Sequence, residues 1–398
     1  MLVSRDTEIY ILGGARTPFG TYGGSLKDVD AVTLGRVAGQ GALERTGVPA
    51  EAIDLTVVGG VLPSTPDFAY LARHIALQAG VPIAADSLTV NRLCGSGLQA
   101  VVSAAQALLF GGGEAALAGG SENMSQAPYA LRNSRWGIKN GPPELDDTLQ
   151  STLTDFGCGL GMGMTAENLA DQYHISRAEQ DAYAALSHRR AHQARESGKF
   201  KDEIVPVPVT VKGKSSLVET DEHIRPDTTA ESLARLKPVF KTEGGTVTAG
   251  NASGINDGAA MVVLANGDFV RAHGLHPMAR IVSYGVAGVD PRIMGIGPVP
   301  ASQKALERAG LDLAEVGRVE INEAFAAQYL AVEEALRLNR DVTNVNGGAI
   351  ALGHPVGASG ARLLLSLMHE LRRESLHYGL LSLCIGGGQG IAMVIETV

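Results

Sequence analysis

The stretch LTVNRLCGSGLQAVVSAAQALLF, residues 88–110, changes character at a cysteine. Residues 88–90 predict the end of a strand, and the apolar run 98–110 predicts a helix. Cys94 lies at the turn between them. There, the positive end of a helix dipole stabilises a thiolate, and the neighbouring glycines leave backbone N–H groups free to bind an oxyanion. A free cysteine is more often a small buried apolar residue, but this setting favours a nucleophile.

A second glycine-rich turn repeats the order of elements found around Cys94. Residues 343–360 read TNVNGGAIALGHPVGASG and again lead from a strand-like run into a helical one. In both halves a second strand and a run of glycines follow, at residues 115–120 and 379–388. This repeat predicts two copies of one fold about a pseudo-twofold axis, which would bring Cys94 and His354 toward one cleft.

Two further polar side chains follow predicted strands. Cys384 precedes three glycines and is either an ordinary strand cysteine or a second reactive group in the same cleft. Asn322 is either a helix N-cap or part of an oxyanion site. A nucleophilic cysteine needs a base to activate it and an acid to protonate what leaves, and His354 and Cys384 are predicted to supply both.

The domain organisation follows from length and alternation. A chain of 398 residues exceeds one ordinary core, and short apolar runs alternate with amphipathic stretches, which predicts α/β architecture. A more polar segment separates the halves, and it contains a helix that Ser176 and Glu179 are predicted to start as a capping box. The predicted division is 1–121 plus 251–272 for the first half, 122–250 for an inserted loop domain, and 273–398 for the second half.

Composition excludes several classes of protein. A net charge of −9 argues against a nucleic-acid surface, and no apolar run approaches a membrane span. Three cysteines without a C-x-x-C pair predict neither a disulfide framework nor a zinc site, and a reducing cytoplasm fits them. Cys158 is interpreted as an ordinary thiol. His188 and His192 lie four apart but lack the glutamate of a metal-binding helix, so a solvated helix face is favoured.

Taken together, these motifs resemble the thiolase family over essentially the full chain, and most closely its 3-ketoacyl-CoA thiolase branch. The resemblance rests on residues 16–20, 91–97, 119–125, 165–168, 248–258, 322–325, 346–360 and 384–390. It implies a thiolase-like five-layered α-β-α-β-α core of two duplicated halves with an inserted loop domain, and a homodimer or homotetramer. It also implies coenzyme A as a substrate, with no metal and no permanently held cofactor.

The family's functional residues match individual positions of this chain. The resemblance implies that Cys94 is acylated, that His354 activates it, and that Cys384 exchanges a proton with C2 of the acetyl group. It further implies that Asn322 holds a water in one oxyanion hole with His354, and that the amides of Cys94 and Gly386 form the second. The positions that match coenzyme A binding are Arg225, Ser232, Phe240, Ser253, Phe325 and Met162.

The implied reaction is cleavage of a 3-ketoacyl-CoA by CoA in fatty-acid β-oxidation, or its reverse, a Claisen condensation. The short-chain biosynthetic branch carries His-Met-Gly before Thr-Ala-Glu-Asn, whereas this chain has Gly161-Met162-Gly163-Met164. This departure favours a broader 3-ketoacyl pocket over an enzyme confined to acetoacetyl-CoA. The alternatives are that biosynthetic enzyme, a β-ketoacyl synthase, which the second cysteine disfavours, and a non-catalytic acyl-CoA binding protein. Redox sensing by Cys94 and Cys384 is a possible additional role.

Overall fold

The computed structural model describes residues 8–211 and 213–398. Its strands are β1 (Ile9–Arg16), β2 (Gly20–Thr21), β3 (Leu55–Gly59), β4 (Asp86–Val90), β5 (Ala115–Asn123), β6 (Tyr129–Leu131), β7 (Leu145–Asp147), β8 (Thr154–Asp155), β9 (Leu160–Gly161), β10 (Val207–Val211), β11 (Lys214–Val218), β12 (Asn256–Asn266), β13 (Ala279–Gly288), β14 (Arg318–Ile321), β15 (Tyr378–Ile385) and β16 (Gln389–Thr397). Its α-helices are α1 (Ala31–Thr46), α2 (Leu71–Ala79), α3 (Ser96–Leu109), α4 (Thr148–Thr152), α5 (Met162–Gln172), α6 (Arg177–Glu196), α7 (Ala230–Leu233), α8 (Gly267–His273), α9 (Pro298–Ala309), α10 (Ala326–Leu336), α11 (Ala349–Leu352) and α12 (Ser359–Arg373). Short 3₁₀ helices cover Ala50–Ala52, Phe68–Tyr70, Met124–Gln126, Lys199–Asp202, Pro291–Ile296 and Leu313–Glu315.

The predicted duplication is visible in the strand pairing. The main sheet runs β14-β15-β16-β13-β1-β12-β5-β3-β4. Outward from the centre, β1, β12 and β5 pair antiparallel, and β5, β3 and β4 pair parallel. The second half repeats this with β13, β16 and β15 antiparallel and β15 and β14 parallel. A parallel bridge between Val319 and Thr343 occupies the place that β4 has in the first half.

The two halves are joined by a short stretch of strand pairing and by a large apolar core. Strands β1 and β13 share only the pairs Tyr10↔Arg280 and Ile11↔Ala279. Helices α3 and α12 pack between the half-sheets in one apolar core that includes Leu98 and Leu364. Helices α1 and α2 cover the outer face of the first half-sheet, and α9 and α10 that of the second. The layers are therefore α-β-α-β-α, as the resemblance implied.

Local sequence explains where the helices begin. Ser176 and Glu179 form the predicted capping box at the start of α6. The hydroxyl of Ser176 accepts the backbone N–H of Glu179, and the carboxylate of Glu179 accepts the backbone N–H of Ser176. Asp30 caps α1 by accepting the N–H of Thr33, and Gly47 ends that helix in a left-handed conformation. No helix within residues 8–211 and 213–398 combines the length and apolar character needed to cross a membrane.

The prediction that His188 lies on a solvated face of α6 is wrong. Its side chain is buried, stacks near His223 with 6.4 Å between ring centroids, and accepts the backbone N–H of Arg225 at Nδ1. Burial lowers the pKa of His188 to about 4, so this imidazole is neutral. His192 on the next turn is half-buried. The helix therefore uses His188 to hold the Arg225 segment.

The turn after His354 packs directly against the first half, and glycines make this approach possible. A Cβ on Gly120 of β5 would lie 1.8 Å from the carbonyl oxygen of Gly357, and one on Gly97 of α3 would lie 2.8 Å from it. Such distances exclude any side chain at these positions unless the backbone moves. The glycines therefore set how closely the His354 turn approaches the start of α3.

We expect Gly120→Ala to lower the free energy of unfolding by about 1–3 kcal/mol, because the added methyl group overpacks a backbone contact. Urea unfolding would measure the loss. The matched control is Gly288→Ala at the end of β13, where the nearest atom to an added Cβ is 3.9 Å away. Equal stability of the two variants would contradict the role given to this contact.

Candidate active site

The turn that carries Cys94 is held by its own polar neighbours. The side chain of Asn91 accepts the N–H of Leu93 at 2.9 Å, and the hydroxyl of Ser96 accepts the N–H of Arg92 at 2.8 Å. Leu93 adopts a left-handed conformation with φ of 48°. A non-glycine residue pays roughly 1–3 kcal/mol for such a conformation, and such strain clusters at functional sites. The turn places Cys94 two residues before α3, and the cysteine stays half-buried.

The thiol of Cys94 rests in its protonated form. The N–H of Gly386 donates to the sulfur and favours the thiolate, but burial outweighs it and raises the pKa of Cys94 to about 11. The negative charge of Glu122 acts in the same direction as burial. The expectation that the helix dipole leaves a stabilised thiolate is therefore wrong for the resting site, and the thiol needs a base.

The hydrogen bonds around His354 assign its tautomer. The hydroxyl of Ser359 donates to the carbonyl of Pro355 at 2.8 Å, so it accepts from His354 Nδ1 at 2.5 Å. The proton then resides on Nδ1, and Nε2 keeps its lone pair, 3.4 Å from Nδ2 of Asn322. Burial, helped by the charge of Arg362, lowers the pKa of His354 to about 3. His354 is therefore a neutral imidazole whose unprotonated Nε2 accepts a hydrogen bond from Nδ2 of Asn322.

Asn322 does not cap a helix. It lies four positions before the first residue of α10, and Phe325 occupies the N-cap position without a side-chain hydrogen bond. Its backbone N–H donates to the carbonyl of Ser382 at 2.9 Å, which fixes it beside β15. Its side chain is fully buried, and Oδ1 has no hydrogen-bond partner among the described residues. The amide is therefore held at His354 with one polar atom uncommitted.

Cys384 is a fully buried thiol near the end of β15, opposite Gly390. Burial raises its pKa well above the usual range, and ionisation of Cys94 raises it further. Its apolar neighbours are Met294 and Ala324, with Met162 and Phe325 packed against them. Cys384 is therefore a protonated thiol within electrostatic reach of Cys94.

Four of the six predicted coenzyme A positions gather next to these groups. Met162 packs on the Cys384 cluster, and its sulfur would lie 3.4 Å from a Cβ on Gly386. Phe325 and Phe240 meet edge to face with 6.3 Å between ring centroids. Ser253 donates its N–H to the carbonyl of Ala324, which ties it to the same wall. Together they form a partly exposed apolar rim.

The other two predicted positions are exposed on the inserted segment. Arg225 is exposed, and its backbone is fixed by His188. Ser232 is an exposed residue of α7, and its hydroxyl bonds to the backbone carbonyl of Thr229. Arg225 lies in an exposed loop, and Ser232 lies on the four-residue helix α7. Arg225 brings a positive charge to this surface, whereas the side chains of Met162, Phe240 and Phe325 are apolar.

Sequence reasoning did not single out several residues that build this site. Ser359 orients His354, and Asn256 accepts the backbone N–H of His354 at 3.0 Å. Glu122 bonds to the His354 turn through Gly357. All three lie within motifs that were quoted as stretches, so the motifs were the available signal. Met294 lay in no motif, and nothing in the sequence indicated its contact with Cys384.

The site contains two thiols, a neutral histidine with an unprotonated nitrogen, and a backbone N–H that donates to sulfur. These groups suit covalent catalysis through cysteine. The family model for the thiolase N-terminal domain matches residues 9–268, and that for the C-terminal domain matches residues 275–397. The chain therefore belongs to the thiolase family and is an enzyme of that family.

Relatives and solved structures agree over nearly the whole chain. The chain is similar to the mitochondrial 3-ketoacyl-CoA thiolase of Rattus norvegicus, with 52% identity over 390 residues and 98% of each chain covered. It is 50% identical to the beta-ketothiolase of Cupriavidus necator over 391 residues, covering 98% of this chain and 99% of that one. The structure of human mitochondrial 3-ketoacyl-CoA thiolase superposes with a TM-score of 0.96 at 51% identity, covering 98% and 99% of the two chains. That of Bacillus anthracis acetyl-CoA acetyltransferase gives 0.97 at 47% identity over 100% of both.

The depressed pKa of His354 predicts a pH-dependent stability. An unfolded histidine takes up a proton below about pH 6.5, whereas folded His354 does so only near pH 3, so its contribution is complete above pH 6.5 and is lost as the pH falls. At pH 5 the loss amounts to about 2 kcal/mol. We expect the free energy of unfolding of His354→Asn, which has no titrating group there, to fall less than that of the wild type between pH 7 and pH 5.

Urea unfolding of both proteins at each pH would give this difference. The variant's own offset at pH 7 cancels in the comparison. Parallel pH profiles would show that His354 titrates normally in the folded protein.

Proposed function

We propose that this chain transfers acyl groups between a 3-ketoacyl-CoA and CoA through an acyl-Cys94 intermediate. The observation that carries the proposal is the pair of thiols. Cys94 is open enough to meet a substrate and touches the N–H of Gly386, while Cys384 is buried and protonated within its electrostatic reach. One thiol suits attack on a carbonyl, and the other suits proton exchange with carbon.

In the cleavage direction the Cys94 sulfur attacks the C3 carbonyl carbon, and the freed proton passes to Nε2 of His354. The resting pKa values keep both groups neutral, so the proton moves only as the sulfur–carbon bond forms. The negative charge that develops on the C3 oxygen is stabilised by backbone N–H groups at Cys94 and Gly386.

The C2–C3 bond then breaks, and its electron pair leaves as the enolate of acetyl-CoA. His354 and the side chain of Asn322 stabilise the enolate oxygen, and Cys384 gives its proton to C2. A second CoA gives its thiol proton to the Cys384 thiolate and attacks the carbonyl carbon of the Cys94 thioester. The bond between that carbon and the Cys94 sulfur breaks, the shortened acyl-CoA leaves, and Cys94 recovers its proton from His354. The scheme is ping-pong, and condensation is the same path reversed.

Coenzyme A is the proposed common part of both substrates. One of the solved structures similar to this chain is human mitochondrial 3-ketoacyl-CoA thiolase in complex with CoA, at a TM-score of 0.95 and 51% identity. The apolar rim of Met162, Phe240 and Phe325 suits the pantetheine arm, and exposed Arg225 suits the charged nucleotide end. Neither a metal nor a permanently bound cofactor enters the proposed steps.

A cavity of about 260 Å³ adjoins the Cys94 turn and supports substrates longer than acetoacetyl-CoA. Its walls include Leu93 and Gly386 beside the nucleophile and the apolar side chains of Val61, Phe156 and Met162. The lining also includes five polar residues, Asn91, Ser151, Thr152, Thr154 and Asp155, so the apolar part of the wall is the part that suits a hydrocarbon tail extending from the acylated sulfur. Degradation of fatty acyl chains is therefore the proposed role.

The proposed assembly is a homodimer or a homotetramer. Strand β4 ends the sheet order, and its outer edge has no partner strand in the part of the chain that the structure describes. Leu88 on this strand is 48% exposed, and an exposed apolar edge strand favours pairing with another chain.

The cytoplasmic location stays a prediction. It is supported by three free thiols, while several relatives are named as mitochondrial.

We expect Cys384→Ala to block cleavage of the carbon–carbon bond while Cys94 remains reactive, because only the proton donor to C2 is lost. Thiolysis should fall by at least about 10²-fold, the size of a lost general acid. Acetylation of Cys94 by acetyl-CoA, followed by mass spectrometry, needs no chemistry at C2 and should persist.

Cys158→Ala is the matched control, because it removes the third thiol, which does not line the cavity beside Cys94 and donates to the backbone carbonyl of Asp155 at 3.8 Å. It should keep both activities. Full thiolysis by Cys384→Ala would refute the role of Cys384.

We expect thiolysis of 3-ketoacyl-CoAs to persist or rise as the chain grows beyond acetoacetyl-CoA. Phe156→Ala should lower kcat/KM for the longer substrates about tenfold and leave acetoacetyl-CoA unchanged, because Phe156 touches only a tail that fills the cavity. Activity confined to acetoacetyl-CoA would identify an acetyl-CoA acetyltransferase, and no activity at any length would favour a binding protein.

A further inference from the structure

Glu122 is a fully buried carboxylate that takes no part in the proposed reaction steps. It lies at the end of β5, where the two halves of the molecule meet. Oε2 accepts the N–H of Gly357 at 3.0 Å and that of Val61 at 3.1 Å, and Oε1 accepts the N–H of Leu62 at 3.1 Å. Through these three hydrogen bonds, the buried side chain of Glu122 connects the loop of Val61 and Leu62 to the loop of Gly357.

The connection continues from Glu122 to the nucleophile. The carbonyl of Val61 accepts a hydrogen bond from Nδ2 of Asn91 at 3.4 Å, and Oδ1 of Asn91 accepts the N–H of Leu93 at 2.9 Å. At its other end, Gly357 lies three residues after His354 in the same turn. A single chain of hydrogen bonds therefore joins the turn of the base to the turn of the nucleophile.

We propose that Glu122 is a positioning residue whose carboxylate fixes the His354 turn against the Cys94 turn. This inference rests on the proposed function, because it concerns the alignment of the proposed nucleophile and base. A misplacement of about 1 Å between reacting groups costs up to about 10²-fold in rate. When ionised, the side chain also raises the pKa of Cys94. Both the position of the two turns and the reactivity of the thiol therefore depend on Glu122.

Electrostatics supports this connection between the two turns. Burial raises the pKa of Glu122 to about 8, against the effect of its three N–H donors, and the charge of Asp257 raises it further. Once ionised, Glu122 repels a thiolate at Cys94 and raises the pKa of that thiol. Cys384, the other thiol of the site, stays protonated at higher pH still.

The test is Glu122→Gln, which keeps the shape of the side chain, removes the charge that Glu122 carries above about pH 8, and turns an NH₂ group toward a backbone N–H. We expect kcat for thiolysis to fall by about tenfold or more, with KM for CoA nearly unchanged. Alkylation of Cys94 by iodoacetamide should move in the opposite direction. Above pH 8 it should be faster in the variant, with a lower midpoint pH, because the repelling charge is gone. Below pH 8 the two proteins should converge, because wild-type Glu122 is then protonated.

The alkylated Cys94 peptide is quantified by mass spectrometry in a Cys158→Ser background, because Cys158 is also partly exposed. The matched control is Glu167→Gln, which removes a buried carboxylate that accepts N–H groups of Thr246 and Val247. These partners belong to neither turn, so the control should leave the midpoint of Cys94 alkylation unchanged even if it lowers Tm.

A slower kcat with an unchanged alkylation midpoint would assign Glu122 a merely structural role and overturn the proposal, as would an unchanged kcat. If Glu122→Gln does not fold, the wild-type profile decides. Ionisation of Glu122 should flatten the rise of alkylation rate around pH 8, and a rise of constant slope through that pH would overturn the proposal. Alkylation needs no turnover, so a wild type without thiolysis would reject the proposed function while leaving this coupling measurable.

Discussion

The approach of one backbone turn to another holds the functional centre of this molecule together. The carbonyl of Gly357 packs against Gly97 and Gly120 so tightly that neither position tolerates a Cβ. Through this contact the second half places His354 at the start of α3, where the first half presents Cys94. The two half-sheets share only two residue pairs, so alignment of the site depends on the packing of α3 on α12 and on this glycine contact.

Polar groups then hold the reacting side chains in place through hydrogen bonds to their rings, backbones or turns. Ser359 and Asn256 hold the ring and the backbone of His354, Asn91 and Ser96 hold the turn of Cys94, and Glu122 links the two. None of these partners needs to touch a substrate. Because each has its hydrogen bonds satisfied inside the protein, the site is organised before any ligand arrives, which reduces the reorganisation required during reaction.

The fold was largely predictable from sequence because the repeat of strand, glycine turn and helix is local and strongly patterned. The turn of Cys94 and the capping box at Ser176 are confirmed, and so are the five layers, which the resemblance to the thiolase family implied. Long-range environment was not predictable. Residues 176–197 have the polar composition of a solvated helix, yet His188 is buried against His223. Likewise the local helix dipole at Cys94 indicated a thiolate, whereas burial by distant segments decides the protonation state. The assigned roles of the site residues and the division into three segments stay predictions.

The raised pKa of Cys94 has a consequence for the lifetime of the protein in a cell. Peroxide and other oxidants react with thiolates, and a cysteine that is protonated at rest is a poor target for them. Cys384, which is fully buried and titrates higher, is protected further. At neutral pH the reactive thiolate is therefore a small fraction of the resting site, which slows oxidation of the nucleophile. This arrangement disfavours redox sensing by the two thiols.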